Sequence, residues 1–287
     1  MSPAVPLMLS NEYLQHIVKS ALLEDIGTGD ITTALTIPAK RVVSAAMVSR
    51  SVGIVAGMPL VEEVYRQLAP DVTVFAHCED GGEVSAGTVM CTIQGDASVI
   101  LTGERVALNF VQRLCGIASL TRKFVILTEG TTARIVDTRK TTPGLRALEK
   151  YAVRCGGGHN HRCGLYDAVL IKDNHIAACG SITAAVALAR CGAPHTMTIT
   201  VECDTIQQVD EALTAGADII LLDNMPPSTL KQAVQRIAKR AIVEASGGVS
   251  LNTVAEIAST GVDIISVGAL THSAVSLDIG LDIEMEQ

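Results

Sequence analysis

TITVECDTIQQVDEALTAGADIILLDN, residues 198–224, reads as one strand–helix–strand unit and decides the fold class. TITVEC (198–203) and DIILLD (218–223) are short apolar runs that do not alternate and that close on polar residues. Strands buried on both faces read this way, because helices cover both sides of a parallel sheet. Between them, TIQQVDEALTAG (205–216) opens on Thr and ends in Gly, as helix termini often do.

The same unit recurs on either side. ARIVDT (133–138) and AVLIK (168–172) precede it, and AIVEAS (241–246) and DIISVG (263–268) follow it. Helix candidates lie between them: TPGLRALEKYAV (142–153), SITAAVALARC (181–191), PPSTLKQAVQRIAKR (226–240) and SLNTVAEIASTG (250–261). Six strands alternating with five helices predict a parallel sheet with right-handed crossovers. Periodicity leaves two architectures open, an incomplete (β/α) barrel and an open doubly wound sheet.

Upstream the pattern differs. NEYLQHIVKSALL (11–23) carries Leu14, Ile17, Val18 and Leu22 at helical spacing, and EDIGTGDITT (24–33) breaks that helix. Between 41 and 95, RVVSAAMVSR, GIVAG, DVTVFAHC and TVMCTIQG read as strands around the helical PLVEEVYRQL, which makes an α+β domain. TGERVALNFVQRLCGIASLTRKFVILTEG (102–130) reads as a long helical connector, with Val106, Phe110, Leu114, Ile117 and Ala118 on one stripe and Gly116 as its weakest point. The expected organisation is an N-terminal α/β sandwich over 1–115, with residues from about 275 to 287 packing on it, and a barrel over 116–274.

Composition narrows the function classes. The chain has 287 residues, 48% of them apolar and 18% charged, with a net charge of −8, so it is globular. Having no Trp, three Phe and four Tyr, it offers few platforms for stacking bases, and its acidity disfavours a phosphate backbone; no nucleic-acid partner is expected. The eight Cys show no disulfide framework and read as reduced thiols. No apolar run reaches the roughly 18 residues of a membrane span, and MSPAVPLMLSNEYLQ is unlike a secretory leader, so a cytoplasmic protein without membrane contact is expected.

In either architecture ligands bind beyond the carboxyl ends of the strands. Those ends carry Asp137, Thr138, Arg139 and Lys140, then Lys172 and Asp173, Glu202, Asp223 and Asn224, Glu244 and Ser246 to Gly248, and Gly268. Between 138 and 175 there are seven Lys or Arg, three acids and three His, a local cationic excess in an acidic chain. Such a balance suits a small polyanion with phosphates or carboxylates. Arg146, Lys150 and Arg154 recur every four residues and read instead as a solvent-facing helix stripe. SGGVS (246–250) and SVGAL (266–270) place small residues after two successive strands, where backbone N–H groups can approach an anion at a helix N-terminus. Glu202 and Asp223 suit sugar hydroxyls or a Mg²⁺ accompanying phosphates. In CGGGHNHRC (155–163), Cys155, His159, His161 and Cys163 have poor spacing for zinc, and a glycine loop that brings His161 and Arg162 over an anion is the better reading.

DTRKTTPGLR (137–146), GGGHNHRCGLYDAVLIKDNH (156–175), VECD (201–204), LLDN (221–224) and EASGGV (244–249), with EDIGTGDITT and GERVALNFVQRLCGIAS (103–119), closely resemble the quinolinate phosphoribosyltransferase family. The match covers nearly the whole chain. The resemblance implies an N-terminal α/β sandwich plus an incomplete barrel, and a homodimer or an assembly of dimers. It implies Mg²⁺-dependent transfer of phosphoribosyl from 5-phosphoribosyl-1-pyrophosphate to quinolinate. Pyrophosphate and CO₂ leave, and nicotinate mononucleotide forms for NAD synthesis. Arg139, His161, Arg162 and Lys172 match positions that surround quinolinate, with Thr138 beside them and Arg105 contributed by the neighbouring subunit. Lys140, Glu202 and Asp223 match positions that hold the phosphoribosyl donor, Glu202 and Asp223 meeting Mg²⁺ directly or through water. Ser246, Gly247 and Gly248, with Val267, Gly268 and Ala269, match the 5′-phosphate loops, and His272 assists there. Lys140, Lys172, Glu202 and Asp223 are the expected catalytic set. Three alternatives stay open: a paralogue of the same fold associated with molybdenum transport, a zinc-dependent barrel hydrolase using His159 and His161, and a phosphometabolite-binding regulatory protein.

Overall fold

The computed structural model describes residues 9–283. Residues 1–8, read above for a leader, and 284–287 of the stretch expected to pack on the first domain lie outside them. The described chain divides into two compact units. The first runs up to Arg122 and includes Ala147–Gly157 and the chain from Ala274 onward; Lys123–Arg146 and Gly158–Ser273 form the second.

In the first unit, α1 (Asn11–Ile26) begins where the Ser10 hydroxyl accepts the Tyr13 N–H, and it buries Leu14, Val18 and Leu22 on one face. Asp30 then caps a short helix not foreseen from the sequence, α2 (Ile31–Thr36), by accepting the Thr33 N–H at 3.0 Å. There follow β1 (Val42–Ser49), β2 (Gly53–Ile54), α3 (Met58–Leu68), β3 (Thr73–Ala76), β4 (Glu83–Val84), β5 (Val89–Asp96) and α4 (Ala97–Leu127). The 31-residue α4 passes through Gly116 unbroken and starts five residues before the expected connector.

The remaining elements are β6 (Arg134–Val136), α5 (Arg146–Cys155), β7 (Val169–Ile171), α6 (Asp173–Cys179), α7 (Ile182–Gly192), β8 (Ile199–Cys203), α8 (Ile206–Ala215), β9 (Ile219–Asp223), α9 (Pro227–Ile237), β10 (Ile242–Ser246), α10 (Val254–Ser259), β11 (Ile264–Ser266) and α11 (Ala269–His272). The chain then returns to the first unit as β12 (Ile279–Ile283), which pairs antiparallel with β1 and completes the order β12-β1-β5-β3. On the way it crosses α4 at Gly116, where a Cβ would sit 2.1 Å from the Val275 carbonyl oxygen. The glycine that weakens the helix therefore admits a crossing strand of backbone.

All six strands foreseen after residue 130 form, and they lie in the order β6-β11-β10-β9-β8-β7, every pair parallel. Read from β7 the order is sequential, and β6 joins beside β11. A doubly wound sheet reverses direction at a switch point, and this one does not. The second unit is therefore a singly wound barrel left open between β6 and β7. One isolated parallel bridge, Val136 with His159, lies on the free edge of β6.

The solvent stripe expected on α5 is corrected. Lys150 is only 4% exposed, and Leu148, Glu149, Ala152, Val153 and Cys155 are buried with it. The helix is covered on more than one side, and two of its polar groups are bonded within the first unit. Arg113 pairs with Glu149 at 2.8 Å, and the Tyr151 hydroxyl donates to Asp80 at 2.6 Å.

Candidate active site

Side chains alternate faces along a strand, so one face of each barrel strand points the same way. At the carboxyl ends that face supplies Leu170 and Lys172 from β7, Glu202 from β8, Leu221 and Asp223 from β9, Glu244 and Ser246 from β10, and Ser266 and Gly268 from β11. With Thr138, Arg139 and Lys140 after β6, and His161 and Arg162 from the following loop, they line one cavity of about 640 Å³. Asn224, Gly247, Gly248, Ala269 and His272 complete the sequence-named part of its wall.

Four cations meet there: Arg139, Lys140, Arg162 and Lys172. Burial, and then the nearby charge of Arg139, hold the Arg162 guanidinium below its ordinary pKa. The Arg139 Nη1 is buried with no hydrogen-bond partner among the described residues. The nearby charge of Asp167 offsets only part of the lowering at Arg162, and an anion of the right shape relieves the remaining cost of two converging guanidiniums.

The loop that carries Arg162 is held from below. Asp137, fully buried, accepts the Asn160 Nδ2–H at 2.6 Å and the His161 backbone N–H at 2.8 Å. Backbone bonds join the loop to β6 as well, from His159 N–H to the Ile135 carbonyl at 2.8 Å and from Asp137 N–H to the His159 carbonyl at 3.2 Å. The motifs DTRK and GGGHNH, read separately above, are thus one assembly.

The two glycine turns differ. Gly247 and Gly248 have φ of +88° and +60°, and a Cβ on Gly247 would lie 2.2 Å from Asn224 Oδ1. Asn224 itself is left-handed, φ +52°, and its N–H donates to the Ser246 carbonyl at 2.9 Å. These glycines form a turn of their own rather than a helix N-terminus, because α10 does not begin until Val254. At the second turn Gly268 does cap a helix, the four-residue α11. A Cβ on Gly268 would come 3.1 Å from Lys140 Cδ and 3.2 Å from His272 Nε2, so its bareness lets those two side chains converge.

Of the expected site residues, Val267 and Arg105 are not brought to this cavity. Val267 is 1% exposed and packs in the core. Arg105 lies exposed on α4 in the first unit. Ser266 and Glu244 have no role assigned from the sequence; their two-residue spacing from Gly268 and Ser246, which places them on the same strand face, is the signal that could have found them. Among the described residues no thiol lines the cavity, and burial pushes the Cys91, Cys115 and Cys203 thiols up to about 12.

The carboxylates fit a cation that brings most of its own ligands. Glu202 is ion-paired with Lys172, and Asp223 accepts the Asn224 amide at 2.6 Å. Among the described residues no group of three or more His, Cys, Asp or Glu could hold a metal by itself. Two carboxylates suit Mg²⁺, which keeps waters and phosphate oxygens in its shell, better than zinc.

Comparison with known proteins places the chain. Residues 30–115 match "Quinolinate phosphoribosyl transferase, N-terminal domain", and 117–282 match "Quinolinate phosphoribosyl transferase, C-terminal domain". The Bacillus subtilis protein "Probable nicotinate-nucleotide pyrophosphorylase [carboxylating]" is 47% identical over 272 residues, 95% of this chain and 94% of that one. The Mycobacterium leprae "Nicotinate-nucleotide pyrophosphorylase [carboxylating]" is 47% identical over 274 residues, 93% of this chain and 95% of the other. The structure of the nicotinate-nucleotide pyrophosphorylase from Francisella tularensis superimposes with a TM-score of 0.93 at 37% identity, covering 96% of this chain and 98% of that one. With a cationic barrel mouth, both domains matched and near-complete overlap with these relatives, the chain belongs to the quinolinate phosphoribosyltransferase family.

Proposed function

We propose that this chain transfers the phosphoribosyl group of 5-phosphoribosyl-1-pyrophosphate to quinolinate and decarboxylates the adduct to nicotinate mononucleotide. The observation that carries it is the convergence of Arg139, Lys140, Arg162 and Lys172 in one cavity with the Ser246–Gly248 turn. Two polyanions can be gripped there together.

The chemistry follows from charge. The pyridine nitrogen attacks the ribose anomeric carbon while the bond to pyrophosphate breaks and its electron pair leaves with the diphosphate. Lys140, beside Gly268 and His272, lies at the phosphate end and neutralises developing negative charge. Glu202 and Asp223 meet the positive anomeric carbon and the ribose hydroxyls. The same two carboxylates would hold Mg²⁺ brought with the diphosphate, which when bound would supply charge neutralisation of the leaving group. Arg139 and Arg162 grip the two ring carboxylates. After N-ribosylation the pyridinium accepts the electron pair freed at C2 as CO₂ departs, and a proton from solvent replaces it. No covalent nucleophile is needed.

The functional unit in this reading is a homodimer, or an assembly of dimers, in which Arg105 completes the site of the neighbouring subunit. The protein works in the cytoplasm; among the described residues no single helix is long and apolar enough to cross a membrane.

The test is to incubate protein, Mg²⁺, quinolinate and phosphoribosyl pyrophosphate and look for nicotinate mononucleotide by mass. Absence of both that product and pyrophosphate overturns the reading. Binding of the phosphoribosyl donor without pyrophosphate release marks a regulatory protein instead, and stoichiometric zinc by elemental analysis marks a hydrolase. The relatives' names favour the transferase over the molybdenum-associated paralogue.

A further inference from the structure

We infer that Glu244 is a positioning residue that acts through His161 on Arg162, and so on the dicarboxylate end of the site; this rests on the transfer reaction proposed above. Glu244 sits on β10, is 1% exposed and lines the floor of the cavity. Neighbouring positions on that strand, Val243 and Ala245, are apolar and buried. A carboxylate in such a place is expensive unless it is bonded, and an apolar residue would fill the slot more cheaply if only packing mattered.

Its Oε1 gathers two partners. The Ser266 hydroxyl donates to it, and His161 Nε2 lies 3.3 Å away. The other ring nitrogen, Nδ1, accepts the backbone N–H of Arg162 at 2.7 Å. A nitrogen that accepts that bond carries no proton, so the proton of the neutral ring sits on Nε2, facing Glu244. The imidazole is therefore a strut. One end stands on the barrel floor, and the other holds the backbone of the residue whose guanidinium lines the cavity. Asp137 takes the His161 N–H, and Arg162 Nη1 donates to the Ala168 carbonyl at 3.2 Å, which fixes the strut's remaining freedoms.

Without an acceptor at the Oε1 position the Nε2–H tautomer loses the partner of its proton, and the selection made by the Arg162 N–H at Nδ1 is weakened. The alternative tautomer places a proton on Nδ1, opposite the Arg162 N–H, and pushes that backbone away. Glutamine keeps an acceptor oxygen there, and alanine does not.

The experiment uses the full chain labelled with ¹⁵N and a long-range ¹H–¹⁵N correlation of the imidazoles, His161 being assigned by its loss in His161→Gln. The expected result is the Nε2–H pattern in the wild type and in Glu244→Gln, and averaged tautomers in Glu244→Ala. In kinetics, Glu244→Ala raises KM for quinolinate about tenfold, the scale of one charge-assisted hydrogen bond, and leaves KM for the phosphoribosyl donor within about twofold. Glu244→Gln restores most of the loss, and Glu244→Ala costs nothing further in a His161→Ala background. An unchanged His161 tautomer in Glu244→Ala, an equal rise in both KM values, or additive losses would each overturn the inference. If the alanine variant fails to fold, Glu244→Asp, which withdraws the oxygen by one methylene, takes its place in both measurements. The tautomer is read without turnover, so failure of the proposed reaction leaves that half of the test standing.

Discussion

The buried carboxylate of Asp137 and the backbone amide of His161 are joined at 2.8 Å, so the residue that follows β6 also sets the height of the loop over the cavity. Asp137→Asn keeps the volume but turns one acceptor oxygen into a donor that faces Asn160 or the His161 amide. We expect kcat/KM for quinolinate to fall roughly 10–100-fold, with a cooperative thermal transition retained. Wild-type kinetics in the folded variant would separate Asp137 from the loop.

The two glycines of the Ser246–Gly248 turn should behave differently on substitution. Gly247→Ala drives a Cβ to 2.2 Å from Asn224 Oδ1, whereas a Cβ on Gly248 meets nothing within 4 Å. The second change pays only the left-handed penalty of about 1–2 kcal/mol, seen as lost stability. The first should raise KM for phosphoribosyl pyrophosphate by about tenfold or more, because the turn itself must move. Equal effects would argue that the turn does not touch the phosphate.

Lys140→Ala and Lys172→Ala should each lower turnover roughly 10²-fold or more, on the scale of one lost electrostatic stabiliser. Lys172 pairs with Glu202, so its loss also leaves that carboxylate uncompensated. Steady-state turnover of the purified variants is the measurement, and unchanged rates in both would remove the cationic site from the chemistry.

If Arg105 works across a subunit boundary, inactive Arg105→Ala chains mixed with inactive Lys172→Ala chains should recover part of the activity through hybrid sites. The mixture is assayed after subunit exchange is verified by mass. Exchange without recovery would place both residues in one subunit's site or leave Arg105 outside it.

Alkylation at pH 8 should spare turnover. Cys91, Cys115 and Cys203 are buried with thiols pushed up to about 12, so at that pH they stay protonated and unreactive, while Cys191 on α7 is exposed. Peptide mapping should find Cys191 modified with activity intact; rapid inactivation that tracks modification of a buried thiol would contradict this.

Much of the second unit was legible in the sequence because a parallel strand covered on both faces leaves an unmistakable apolar run, and its polar terminus marks the ligand side. Arg139, Lys172, Glu202 and Asp223 could be located in this way before any geometry was known. What could not be read depended on tertiary neighbours. Lys150 follows a solvent-like four-residue spacing, yet α5 is covered on more than one side. Periodicity alone left barrel and doubly wound sheet both open, because strand order is not encoded in a local pattern; the family resemblance implied the incomplete barrel that the strand order shows. Helix α2 went unforeseen because EDIGTGDITT shows two breakers, and only the Asp30 side chain reveals that the chain restarts. Glu244 and Ser266 were visible as residues, but their bond to each other and to His161 joins three separate segments.

The unclosed seam between β6 and β7 has a cost and a use. A fully closed ring would leave β6 no spare amide or carbonyl, yet here its outer edge is taken by His159, so the glycine-rich segment is zipped to the sheet as a makeshift extra rung. Reactive side chains are thereby anchored to rigid backbone at one residue while the turns around it keep their length free to vary. Lengthening or shortening the stretch before His159 should be absorbed by those turns, whereas a proline at His159, lacking the amide that Ile135 receives, would unzip the rung and release Arg162 with it.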